Sequence, residues 1–250
     1  MRPFVIAICL FLGCVRPGEA ARVYSEGHAD IGVRFVDGKL QVGLNLLGAV
    51  VDGANVSEFA PLSDILLFVP ETTLEDRPPN GPGQNFDPIG VPTGSPMYRL
   101  SASGTESFVN EAPYLGFGSY LLSSSDFIGN VTFQLTGFSS SEGGDLSIFQ
   151  YTFPGPTYYV TTANGLGPAD SLTLSLGAHD HFNWGFTRPG MYRMEWTAEA
   201  THRTLGRLTA TGTISAGVTT VVPEVSSLTM IFVAMLAGLC SCYRRPHKIG

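Results

Sequence analysis

Between residues 21 and 222 the chain has no cysteine; all four, Cys9, Cys14, Cys240 and Cys242, lie near its ends. That region has no disulfide to lean on, and a body of about 200 residues can stand on its core alone. Charge is also scarce, at 14% of residues. Basic charge is scarcer still: residues 21–222 hold nine Lys and Arg against nineteen Asp and Glu, a net charge of −10. Phosphate contacts need clustered Lys and Arg, so nucleic acid is excluded as a partner. Helical periodicity is missing from Val23 to Val218. There is no nucleophile elbow, no phosphate-binding glycine loop and no paired-helix zinc motif. The serines include turn-like clusters such as "LLSSSD". With no nucleophile, base and orienting group in view, the chain does not read as an enzyme.

What is present is turn chemistry and short extended runs. Thirty Gly and seventeen Pro punctuate a chain that is 44% hydrophobic. "HADIGVRFVDGKLQVGLNL" is two extended runs around Asp37-Gly38, a strong hairpin signal. "DILLFVP" reads as a strand buried on both faces. "NVTFQLTGF" alternates, with Val131, Phe133 and Leu135 on one face. "DLSIFQYTF", "TYYVTTA", "DSLTLSLG", "GMYRMEWTAEA" and "GRLTATGTISAGV" continue the pattern. The expectation is all-β: a single β-sandwich of Greek-key or jelly-roll style over residues 21–218. A split near residue 105 is the alternative. The stretch 77–96, "RPPNGPGQNFDPIGVPTGSP", reads as a surface crossover between two sheets, or as a functional loop.

The two ends carry address information. Arg2, the apolar run Phe4–Val15 and the small residues before Ala20 read as a secretory signal peptide over residues 1–20. Residues 225–243 hold no charge, enough to cross a bilayer as a helix. Arg244, Arg245 and Lys248 follow, in a basic tail over 244–250 that favours a cytoplasmic end. Residues 219–224 are a short linker. The body is then expected at the cell envelope or outside, tethered to the membrane by that helix.

Two residue groups in the body suggest binding. His179 and His181 flank Asp180 in "GAHDHFNW", and His28 and Asp30 repeat the i, i+2 spacing in "GHAD". On a strand such pairs share a face, so His28, Asp30, His179 and His181 could hold a divalent, zinc-like ion if the two segments meet. The bland alternative is a set of hydrogen-bonded imidazoles at a strand entrance. The late aromatics offer a second surface. Most read as core, but Tyr158, Tyr159 and Trp184 would be the residues to stack on extracellular polysaccharide.

Both the tail and the body resemble known families. Pro223-Glu224, the apolar run and Arg244-Arg245 resemble the PEP-CTERM sorting signal of bacteria that make extracellular polysaccharide, with Val225 where the family has a second proline. That resemblance implies processing by an exosortase-type membrane enzyme. "GHADIGVRFVDGKL", "FDPIGVPTGSPMYRL" and "ADSLTLSLGAHDHFNWGFTRPGMYRMEWTA" resemble the choice-of-anchor M domain. It implies a secreted, surface-held, mainly β domain and supplies no activity, so the leading expectation is an exported envelope or matrix protein of structural or adhesive type, with a metal-binding surface protein the alternative and a carbohydrate-binding module a weaker one. Members carry His-x-His after the first hairpin, where this chain has Gly43 and Asn45.

Overall fold

The structure is a computed structural model describing residues 21–219. Residues 1–20, expected to be a signal peptide, the motif Pro223-Glu224, the apolar segment 225–243 and the basic tail with Arg244 and Arg245 lie outside the described residues. Among the described residues, no helix is long and apolar enough to cross a membrane.

The described residues are mostly β, with fifteen strands among them: β1 Arg22–Val36, β2 Lys39–Val51, β3 Ala54–Pro61, β4 Ile65–Val69, β5 Leu74–Asp76, β6 Pro96–Leu100, β7 Pro113–Gly118 and β8 Phe127–Ser140. β9 Leu146–Tyr151, β10 Pro156–Thr161, β11 Ser171–Ser175, β12 His179–His181, β13 Asn183–Phe186, β14 Gly190–His202 and β15 Gly206–Val218 complete them. A large sheet runs β11-β8-β14-β15-β4-β1-β2-β3, with β7 beside β1 and β12 beside β7. A smaller sheet runs β10-β9-β13-β6-β5.

Turn chemistry sets the first three strands. Asp37 and Gly38 both have positive φ (51° and 75°), the conformation of a tight two-residue hairpin between β1 and β2. The next Asp-Gly pair repeats it: Asp52 and Gly53 (52° and 76°) join β2 to β3. The anticipated alternation on β8 is seen, with Val131, Phe133 and Leu135 buried. The apolar β4 run is inserted parallel between β1 and β15. With β1–β7 this makes three parallel pairings, which an all-antiparallel Greek-key or jelly-roll arrangement does not contain. Because β4 pairs with β15 and β7 with β1, a cut near residue 105 would divide the large sheet rather than separate two units.

The two sheets meet through aromatic side chains. Trp184 of β13 lies on Phe117 of β7, ring centroids 5.4 Å apart and nearly parallel, and Trp196 of β14 meets Phe117 at 5.0 Å. All three are fully buried. Each such side chain contributes on the order of 2–3 kcal/mol by leaving water. Trp184 therefore has no face to offer a sugar, and its role as a ligand residue is corrected to core. Tyr158 and Tyr159 are half-buried, Tyr158 against Phe149 and Tyr159 edge-on to Phe182.

Two expectations fail locally. The loop 77–96 is not a crossover between sheets: β5 and β6 pair antiparallel, and the loop is an excursion from that hairpin. It is organised around Arg77, whose side chain is 1% exposed. Its guanidinium donates to the Phe86 carbonyl (3.2 Å), to Asn80 Oδ1 (3.1 Å), to Asp87 Oδ1 (2.6 Å) and to Thr93 Oγ1. There is also a helix, α1 (Gly104–Val109), at the proposed split. Ser103 caps it by accepting from the Glu106 N–H, the Ser-x-x-Glu start signal in "SGTE".

Candidate metal centre

The site forms where β7 runs between β1 and β12. β1 lies parallel to β7, pairing His28 with Tyr114 and Asp30 with Gly116. β12 lies antiparallel on its other side, pairing His181 with Gly116 and His179 with Gly118. The sequence "PYLGFG" leaves β7 bare at alternate positions, so side chains from both neighbours meet across it. A Cβ at Gly116 would strike Asp30 Oδ1, and would sit 2.9 Å from His181 Cε1. One at Gly118 would sit 2.5 Å from the Tyr120 ring. Within β1, Gly27 takes φ 81° at a bulge that shifts the register to His28, and no Cβ fits there against the Gly48 carbonyl.

The two histidine segments, 150 residues apart, therefore converge. One ring nitrogen each from His28, His179 and His181 lies within 4.8 Å of the others. Ring centroids are 4.9 Å apart for His28–His181, 5.8 Å for His179–His181 and 6.1 Å for His28–His179. Imidazole nitrogens on one tetrahedral zinc stand about 3.3 Å apart, from metal–nitrogen bonds of about 2.05 Å. The widest nitrogen separation needs to close by about 1.5 Å to match.

Asp30 sits beside two of the three rings. Its carboxylate is fully buried, 3.5 Å from His28 Nε2 and 3.8 Å from His181 Nε2, too far for hydrogen bonds. Oδ2 accepts from the Tyr120 hydroxyl at 2.9 Å, and that hydroxyl accepts from Asn45 Nδ2. Oδ1 has no partner, nor do His28 Nε2 and His181 Nδ1. Among the described residues seven buried side-chain polar atoms lack a partner, and three of them fall in this one site. Buried polar groups are nearly always satisfied, so such a concentration marks a place prepared for something else.

The electrostatics agree. Burial pushes the His181 imidazole down to about 4; Asp30 opposes this and the neighbouring imidazoles reinforce it. His181 is thus neutral at physiological pH, the form that ligates metal. Tyr120 is pushed up to about 12, chiefly by burial, so its hydroxyl remains a donor. Tyr114 stacks flat on His181, centroids 3.6 Å apart, and fixes the ring plane. His179 is exposed and His28 partly so. On that side a cleft of about 640 Å³ opens, walled by Arg99, Glu106, Gln150 and Tyr151 besides His179 and His181.

All four anticipated ligand residues are thus gathered at one place. Tyr120, Tyr114, Asn45 and the two glycines of β7 were not anticipated, although Gly116-x-Gly118 is a legible sign of close approach across a strand. Asn45 stands directly opposite Asp30 on β2. Gly43 is held small by Phe59 and the Ala60 carbonyl, so a histidine there would displace Phe59. Against known proteins, no family model matches the chain, and no curated protein and no solved structure matches it.

Proposed function

We propose that this β domain binds one divalent transition-metal ion, zinc or a close relative, through His28, His179 and His181 with Asp30 beside them. The observation that carries the reading is the meeting of three imidazoles around buried polar atoms that have no other partner. The donor set favours zinc, nickel, copper or cobalt over calcium or magnesium, which take mainly oxygen. The role is binding rather than catalysis. Elemental mass spectrometry of the untagged full-length protein tests it. About one ion per chain is expected, with loss of that ion in His179→Ala/His181→Ala. A metal-free protein that also ignores added zinc would end the proposal.

The setting we propose is the cell envelope or the exterior. The signal peptide, the uncharged segment 225–243 and the basic tail support it, as does the resemblance of Pro223-Glu224 to a sorting signal read by an exosortase-type enzyme. The body is read as a choice-of-anchor M domain, its two sheets forming one sandwich. Intact mass of the protein from its native host checks the sorting: a mature C-terminus beyond Tyr243 speaks against cleavage near Pro223.

A structural or adhesive envelope role is the second reading. The resemblance of the body to a surface-held, mainly β domain supports it. A sugar-binding module has less support, because Trp184 is buried.

A further inference from the structure

Resting on the metal reading, we infer that Tyr120 is a positioning residue, which fixes Asp30 as a fourth, single-oxygen ligand closing the buried side of the ion's coordination shell. Four observations meet in this inference. The Tyr120 hydroxyl occupies Asp30 Oδ2 and leaves Oδ1 the only free carboxylate oxygen. The hydroxyl is itself held by Asn45, so its direction is set. Oδ1 lies 3.8 Å from His181 Nε2, and the other oxygen of the same carboxylate lies 3.5 Å from His28 Nε2, against roughly 3.3 Å between ligand atoms on one tetrahedral ion. The same Tyr120 ring stands edge-on to His179, centroids 5.8 Å apart, so one side chain braces both the carboxylate and the most exposed imidazole.

A carboxylate that merely orients the imidazoles fits less well. It would donate nothing to the ion, and it would hydrogen-bond their N–H groups at about 2.8 Å. Here both separations exceed hydrogen-bond length, and Oδ1 is unpartnered. Metal-site partners of this kind typically change affinity 10- to 100-fold when removed.

Cobalt titration of the full-length, untagged protein tests the inference, because the visible spectrum of cobalt reports coordination directly. Tyr120→Phe keeps the ring against His179 and removes only the hydroxyl. It is expected to weaken cobalt binding about tenfold and to alter the spectrum, with the melting temperature of the metal-free protein little changed. Asp30→Asn is expected to weaken binding about a hundredfold or more, with a larger spectral change. If both variants bind cobalt with wild-type affinity and spectrum, the inference is overturned while metal binding stands. If the wild-type protein takes up no cobalt or zinc, the metal reading itself fails.

Discussion

Arg77 and Asp30 are both charged, both buried, and treated in opposite ways. The Arg77 guanidinium has four acceptors, on Phe86, Thr93, Asn80 and Asp87, and all three of its nitrogens are used. Asp30 has one donor, Tyr120, and its other oxygen faces imidazoles that do not reach it. A satisfied buried ion holds its surroundings together; a half-satisfied one costs stability, and persists where a ligand completes it. The first cluster organises the long excursion between β5 and β6, which holds one 3-10 turn at Asp87–Ile89. The second stands beside an open cleft. Burial and charge alone would rank them as equals, and the hydrogen-bond partners separate them.

The sharpest test of that contrast removes each centre in turn. Arg77→Ala leaves the Phe86 carbonyl and Thr93 without their donor and is expected to destabilise the protein by about 3–4 kcal/mol, read by urea unfolding. Metal content should not change. Saturating zinc, in contrast, should stabilise the wild type by about 2.7 kcal/mol at a hundredfold excess over Kd, and should do nothing for His28→Ala/His179→Ala. If Arg77→Ala abolished metal binding with the fold intact, the two clusters would not be independent.

Much of the strand framework could be read in advance, while the Arg77 loop and much of the site could not. Period-two alternation predicted β8, and Asp37-Gly38 predicted the first hairpin, because both depend on residues adjacent in sequence. Asp52-Gly53 carried the same signal and passed unread beside it. The site needs a contact between residues 28 and 179–181 that only β7 makes. That strand is six residues long, and all but Leu115 are Gly, Pro or aromatic, so no periodicity announces it. The i, i+2 spacing correctly put each histidine pair on one face. It could not show that Tyr120 and Asn45, on other segments, would hold Asp30. Trp184 erred the other way: aromatic composition cannot tell a sugar platform from the contact between two sheets.

The metal-free site should also respond to mild acid, at higher pH than the Arg77 cluster, whose Asp87 carboxyl is held below its ordinary value by Asn80 and Arg77. The His181 imidazole stands near 4 in the folded chain and at about 6.5 when unfolded. The unfolded state therefore takes up its proton first as pH falls. Stability from this group is full above about pH 6.5 and lost progressively towards pH 4, by at most about 3 kcal/mol. Unfolding curves in chelator between pH 7.5 and 4.5 should show that slope, and His181→Gln should flatten it. A slope unchanged in the variant would assign the acid sensitivity elsewhere.

The smallest expected effect concerns the fourth histidine of the body. His202 ends β14 with its Nδ1 already taken: it accepts from the N–H groups of Thr204 and Leu205, both at 3.2 Å, in the turn to β15. Its ring packs against Phe35 and Phe127, and it stands outside the cluster. It is thus a histidine with partners, the counterpart among imidazoles of Arg77 among ions. His202→Asn keeps a short side-chain acceptor for the turn and should cost under about 1 kcal/mol, with one metal ion per chain retained. Loss of the ion in this variant would mean that partner accounting does not distinguish ligand from structural histidines here, and the reading of the other three would lose its footing.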